Sequence, residues 1–143
     1  MTPAPERSLE QRVDALARAN AIRSARAELK RRLKRDTTLK LALQALDGLD
    51  EELELIRVDG APPPANYLHS MKAYDLLIAL PGFGRVKANK VLARNAVSPS
   101  KTLAGLSTRQ RLMIRAELEL VARARATAGR IGRFTTTPTE RAA

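Results

Sequence analysis

Apolar residues recur at helical, not strand, spacing along most of the chain. Residues 9–34 contain no Gly or Pro and are rich in Ala, Arg, Leu, Glu and Lys, all good helix formers. Ser8, with Gln11 three residues on, has the form of a capping box. The pattern predicts one long helix, with Asn20 as the one residue able to interrupt it. In its later half Ile22, Ala25, Leu29 and Leu33 form a narrow apolar stripe. Asp36, Thr37 and Thr38 can cap a second helix, with Leu39, Ala42, Leu43 and Leu46 on one face and an end near Gly48. Between residues 50 and 58 a short helix and a strand over Leu53-Glu54-Leu55-Ile56-Arg57-Val58 are both open. Asp59-Gly60-Ala61-Pro62-Pro63-Pro64 reads as a stiff, extended linker.

Periodicity resumes after the prolines. Ser70 is a candidate cap for a helix carrying Tyr74, Leu76, Leu77 and Leu80. That helix runs into Leu80-Pro81-Gly82-Phe83-Gly84-Arg85-Val86-Lys87-Ala88, the pattern of a helix–hairpin–helix. Pro81 withholds a backbone donor and stops the first helix. Gly82 and Gly84 permit positive φ and a close backbone approach. Phe83 between them is expected to peg the hairpin to the core. The amides of Gly84, Arg85 and Val86 would face outward at a helix N-terminus, which suits a phosphate. The next helix has Val86, Val91 and Leu92 on its buried side and Lys87, Lys90 and Arg94 on its wet side. A turn over residues 95–102 containing Pro99, then Leu103-Ala104-Gly105-Leu106, leads to a second capping box, Ser107 with Gln110. The last helix is predicted to run to about Ala126, with Leu112, Met113, Ala116, Leu120 and Val121 as its core side. The order of hairpin, helix, two turns and capped helix is a helix–two-turns–helix arrangement in an all-α chain, with the long basic helix packed upon it. The expected division is a disordered 1–7, a helical 8–47, an acidic, proline-rich linker 48–69, the helix–two-turns–helix domain 70–126 and a flexible basic tail 127–143.

Charge changes the picture most. The formal net charge is +11 and the pI about 11.0, so a polyanionic partner is expected, nucleic acid before a membrane surface. Arg23, Arg26, Lys30 and Lys34 run beside the stripe of the first helix, and Arg31, Arg32 and Arg35 widen the positive surface. Glu28 is the one acid between Asp14 and Asp36, whereas a merely solvated face mixes signs. Arg109, Arg111 and Arg115 make the last helix positive at its start. Asp47, Asp50, Glu51, Glu52, Glu54 and Asp59 form an acidic island, read as a solvated linker in preference to a neutraliser of a basic arm.

The chain has no Cys and one His, which excludes disulfides and thiolate metal sites, and no cofactor is expected. The start lacks the apolar core of a signal peptide and no run is long enough to span a membrane, so a cytoplasmic location is expected. His69 reads as a linker residue or helix cap. Tyr67 and Tyr74 are candidates for stacking on bases, though Tyr74 fits better against the hairpin helix. With aromatics at 3%, single-strand binding by stacking has little support. An enzyme of the DNA glycosylase/lyase kind would need an amine nucleophile and commonly a zinc finger. Pro3 would not become the N-terminus and Cys is lacking, so no catalytic activity is expected.

A resemblance joins these features. Ala25-Arg26-Ala27-Glu28-Leu29-Lys30, with Arg31, Leu33, Lys34 and Arg35 after it, resembles the long helix of the actinobacterial integration host factors. Met71-Lys72, Leu76-Leu77, Ala79-Leu80-Pro81, Gly84, Val86-Lys87-Ala88, Pro99, Leu103, Gly105-Leu106 and Arg109-Gln110-Arg111 look like that family's second half, in the same order. Together these stretches cover most of residues 23–118.

The resemblance implies a nucleoid-associated, non-enzymatic protein. Such a protein binds duplex DNA with little sequence preference, bends or compacts it, and assists a phage integrase within a shared DNA complex. A monomer in solution is expected. In the family, arginines of the long helix line a groove; Arg23 and Arg26 match, while Ser24 replaces the middle one. The hairpin and the cations after it grip phosphate, and Gly82, Gly84, Arg85 and Lys87 match. Lys101 is retained in the connection before the last helix, whereas Thr102 and Ala104 replace arginines. The expected DNA-binding set is Arg23, Arg26, Lys30, Lys34, Gly82, Gly84, Arg85, Lys87, Lys90, Lys101 and Arg109. The long segment 47–69 and the basic tail depart from the family and suggest a divergent member, with a virus-encoded origin as one reading. Two alternatives stay open: an RNA-binding hairpin protein of the ribosomal kind, and a viral competitor of the host factor.

Overall fold

A computed structural model describes residues 8–51, 56–65 and 67–135. The expectations for 1–7 and for the tail beyond 135 lie outside these residues, as does most of the choice between helix and strand before Arg57. Among the described residues the elements are α1 Leu9–Arg35, α2 Lys40–Glu51, α3 Ala73–Ile78, α4 Arg85–Arg94 and α5 Thr108–Thr135, with pairing outside helices limited to the isolated bridges Val58–Ala61 and Lys72–Thr102. The all-α expectation holds.

The capping box of α1 forms as the sequence predicts. Ser8 Oγ accepts from the Gln11 amide and Gln11 Oε1 from the Ser8 amide, both at 3.1 Å. Asn20 does not interrupt the helix; its side chain accepts from Arg23 at 3.2 Å. Only the later half of α1 reaches the core, through the buried Ala25, Leu29 and Leu33. At Asp36 the chain turns. The Asp36 carboxylate accepts from the Thr38 amide at 3.0 Å and the Leu41 amide at 2.8 Å, so it caps α2 as expected. Leu39 takes a φ of 61° here, a strained value for a side chain of this size, and its complete burial holds it there. α2 continues past Gly48 to Glu51 and buries Ala42, Ala45, Leu46 and Leu49 against its neighbours.

Ser70 does not cap α3. Lys72 occupies the cap position without a side-chain bond. The segment before α3 is committed elsewhere: Leu103 donates to the Met71 carbonyl at 2.8 Å, Ala104 to that of His69 at 3.1 Å, and Ala73 to that of Lys101 at 3.0 Å. These bonds zip the two-turn connection to the entry of α3.

The second capping box also forms, with Gln110 N to Ser107 Oγ at 3.1 Å and Ser107 N to Gln110 Oε1 at 3.0 Å. The buried face of α5 differs from the one the spacing predicts. Ile114 and Leu118 are buried, with Val121 and Ala122 half-buried, whereas Leu112, Met113 and Leu120 are 58%, 49% and 64% exposed and Ala116 is exposed too. The helix carries apolar residues on two faces, and polar ties select between them. Gln110 Nε2 donates to the Ala96 carbonyl at 3.1 Å, Arg115 Nε to Asp47 at 2.8 Å, and Arg94 Nε to Glu117 at 2.9 Å. Val86 is likewise exposed where burial is expected, because the inner stripe of α4 is Ala88, Val91 and Leu92. α5 runs to Thr135, beyond the predicted end at Ala126. Gly129 and Gly132 each cost a helix only about 1 kcal/mol relative to Ala, and the next proline is Pro138.

Candidate nucleic-acid interface

The hairpin is built from the inside out. Leu80 and Phe83 are buried, and the Phe83 amide closes the turn onto the Leu80 carbonyl at 3.1 Å, so Phe83 is the expected peg. Gly82 has a φ of +79°, the left-handed region in which glycine is favoured. Gly84 does not share that role. Its φ is −89°, and it serves as the side-chain-free N-cap of α4, with open space where a Cβ would stand. Gly84, Arg85 and Val86 are exposed, and no acceptor among the described residues is bonded to their amides. The N-terminus of α4 thus presents free N–H groups and a positive dipole end, an arrangement suited to an anion.

Cations surround this terminus. Arg85, Lys87, Lys90 and Arg94 line one shallow cleft with Gly84. Lys87 Nζ lies 4.6 Å from the Phe83 ring centroid, so the ring orients the ammonium while leaving the side chain exposed. A neighbouring cleft is lined by Arg94, Lys101, Arg109 and Gln110, between the two-turn connection and the start of α5. Arg94 borders both, so the hairpin cations and the Lys101–Arg109 pair lie on adjoining surface. Arg94 itself is bonded to Glu117, and that bond holds its guanidinium charged.

The α1 ridge divides into two kinds of residue. Arg26 points inward: Nε donates to the Tyr67 carbonyl at 3.0 Å, and Nη2 donates to Ser70 Oγ. The expected groove-lining arginine is therefore an anchor between α1 and the entry of α3. Arg31 and Arg32 are taken up by Glu28 at 2.7 and 3.1 Å, and the hydrogen bond from Arg31, then that from Arg32, lowers the Glu28 pKa. Arg23, Lys30 and Lys34 remain exposed, the two lysines with no carboxylate partner among the described residues. Because Ser70 adjoins the backbone paired with Leu103 and Ala104, the Arg26 anchor also ties the ridge to the two-turn side of the molecule.

Two further expectations change, at Tyr67 and at Asp47, while Tyr74 packs as the sequence suggests. Tyr67 is 5% exposed, so it offers no stacking face; burial pushes its pKa up to about 12, and its hydroxyl has no partner among the described residues. Tyr74 is half-buried against the core. The first acid of the acidic island is no linker residue: Asp47 holds Arg115 through bonds of 2.8 and 3.1 Å, which removes Arg115 from the free positive surface of α5. Sequence reasoning missed Arg125. It reaches back from α5 to donate to the Pro81 carbonyl, with its guanidinium 5.7 Å from the Phe83 centroid. The available signal was position: Arg125 follows Leu118 by seven residues and Val121 by four, a cation in line with the core face. Among the described residues no group of three or more His, Cys, Asp or Glu is placed to hold a metal ion.

Residues 54–118 match the family of S13-like H2TH domains. The integration host factor of Mycolicibacterium smegmatis is 41% identical over 108 residues, 75% of this chain and 88% of that protein. That of Mycobacterium tuberculosis is 39% identical over 107 residues, 75% of this chain and 88% of that protein. That of Streptomyces coelicolor is 33% identical over 106 residues, 74% and 85% of the two chains. A solved structure of sIHF bound to an 8bp palindromic DNA superposes with a TM-score of 0.51 at 27% identity, covering 71% of this chain and 98% of that one. The helical frame, the hairpin with its two-turn connection and these identities together place the chain in the integration host factor family.

Proposed function

We propose that this protein is an architectural duplex-DNA-binding protein that bends or compacts DNA with low sequence specificity. The observation that carries this reading is the adjoining pair of cationic clefts joined at Arg94, with the open N-terminus of α4 at one end. In it, the amides of residues 84–86 and Arg85, Lys87 and Lys90 hold phosphates at the hairpin, and Lys101 and Arg109 hold them at the two-turn side. Arg23, Lys30 and Lys34 approach the same duplex from α1. Gly82 shapes the turn, and Arg26 positions the ridge without itself reading a base. Phosphate contacts fix the register of a protein on DNA and carry no sequence information, which suits relaxed specificity. In this reading the grips are fixed on one folded unit, and the DNA deforms to meet them at a cost set by its flexibility.

Eight cations are available to phosphate in this reading, and not all need be engaged at once. With about six neutralised, log K falls against log salt with a slope near −5. Fluorescence anisotropy on a labelled duplex over a salt series measures that slope, and a flat dependence refutes the reading. Duplex RNA of equal length is the competitor that tests the RNA alternative. Circularisation of short fragments separates bending from passive coating, and a competitor of the host factor would bind DNA equally well but fail to support integration. A nucleoid location and a shared DNA complex with an integrase follow from the same reading. Its non-enzymatic part is tested by borohydride trapping on abasic DNA, which yields no covalent adduct.

A further inference from the structure

We propose that Arg125 is a positioning residue for the hairpin, so that the far half of α5 sets the geometry of the phosphate grip. This rests on the DNA-binding reading above. Arg125 lies beyond residue 118, where the S13-like H2TH match ends, and on the part of α5 that packs toward the hairpin. Its Nη2 donates to the Pro81 carbonyl, an acceptor that no backbone N–H among the described residues reaches. Its guanidinium and the Lys87 ammonium share one aromatic ring, with 5.7 and 4.6 Å to the Phe83 centroid. The fit is close on the loop side as well. A Cβ at Gly82 would stand 2.7 Å from Arg125 Nη2, so glycine there serves the guanidinium in addition to the positive φ. The half-buried side chain is thus held by a carbonyl, a ring and the bare backbone of the loop that precedes α4. With that support the turn is preorganised, and the α4 amides and Lys87 are aimed before DNA arrives.

The test compares full-length protein with Arg125→Met, which keeps the aliphatic stem and loses the donors, and with Gly82→Ala. Hydrogen exchange without DNA reads hairpin order directly. The Phe83 amide is expected to exchange about tenfold faster in Arg125→Met, the scale of one charge-assisted hydrogen bond. Duplex affinity is expected to fall about fivefold as the competent hairpin population drops, with the salt slope unchanged. The double variant is expected to bind no worse than Gly82→Ala alone, since the two residues form one contact. Unchanged exchange overturns the positioning role. A slope reduced by about 0.9 overturns it differently, by making Arg125 a phosphate ligand. Faster exchange with unchanged affinity refutes the hairpin as a DNA grip while leaving its contact with Arg125 intact.

Discussion

Arg26 and Lys30 stand one helical turn apart on α1, and replacing each with Met separates anchoring from phosphate contact. Arg26 bonds the Tyr67 carbonyl at 3.0 Å and the Ser70 hydroxyl, joining α1 to the entry of α3. A hydrogen bond from a charged donor contributes roughly 1.5–3 kcal/mol. Arg26 is only half-buried and Ser70 is exposed, so solvent replaces part of what is lost and the lower end applies, about 1.5 kcal/mol. With a urea dependence of about 2 kcal/mol/M, the unfolding midpoint of Arg26→Met falls by roughly 0.7 M. Lys30 is exposed with no carboxylate partner among the described residues, so Lys30→Met stays within about 0.5 kcal/mol of the parent. The DNA assay reverses the order. Lys30→Met reduces the magnitude of the salt slope by about 0.9, whereas Arg26→Met weakens binding without changing the slope. Urea unfolding followed by circular dichroism, with anisotropy over a salt series, reads both quantities. An Arg26→Met protein as stable as the parent, with a slope reduced by about 0.9, would show a guanidinium facing DNA and refute the anchor.

Leu118→Ala is expected to cost about 3 kcal/mol in urea unfolding, since the side chain is fully buried, whereas Leu120→Ala stays within about 0.5 kcal/mol; equal losses would mean a different rotation of α5. Tyr67→Phe removes a buried hydroxyl without a partner among the described residues and is expected to leave stability at neutral pH unchanged or raise it by up to about 1 kcal/mol. The unfolded chain releases the Tyr67 proton near 10.0 and the folded chain at about 12, so this residue leaves the parent's stability unaffected by pH below 10.0 and lowers it as pH rises toward 12; a Tyr67→Phe melting series that declines as steeply as the parent contradicts this. Lys87→Ala is expected to weaken binding alike on unrelated duplexes and to reduce the salt slope by about 0.9, and a sequence-dependent loss in a panel of duplexes would exclude a phosphate contact.

Much of the scaffold was legible because its signals are local. Both capping boxes, the Asp36 cap and the Phe83 peg depend on residues within a few positions of one another, and each forms as the spacing predicts. Legibility failed where local rules permit two answers. α5 has two apolar faces, and helical periodicity ranks them equally. Ser70 has the chemistry of a cap, yet its hydroxyl serves Arg26. Gly84 beside Gly82 has the pattern of a second positive-φ glycine, yet its backbone is extended because it begins α4. In the candidate interface the hairpin cations are exposed and Lys101 is half-buried, while Arg26 is drawn inward and Arg125 enters.

Helical class, the positions of the hairpin and two-turn connection, and a basic surface fit for a polyanion were determined by the sequence itself. Helix propensity, capping and turn chemistry act over a few residues, and net charge needs no fold. Tertiary structure decided which cations face solvent. Arg26 meets Tyr67 across 41 positions, Pro81 and Arg125 meet across 44, and Asp47 and Arg115 across 68. Pairings at such separations follow from how the helices pack, since burial of one apolar face of α5 fixes where every other side chain on that helix must point.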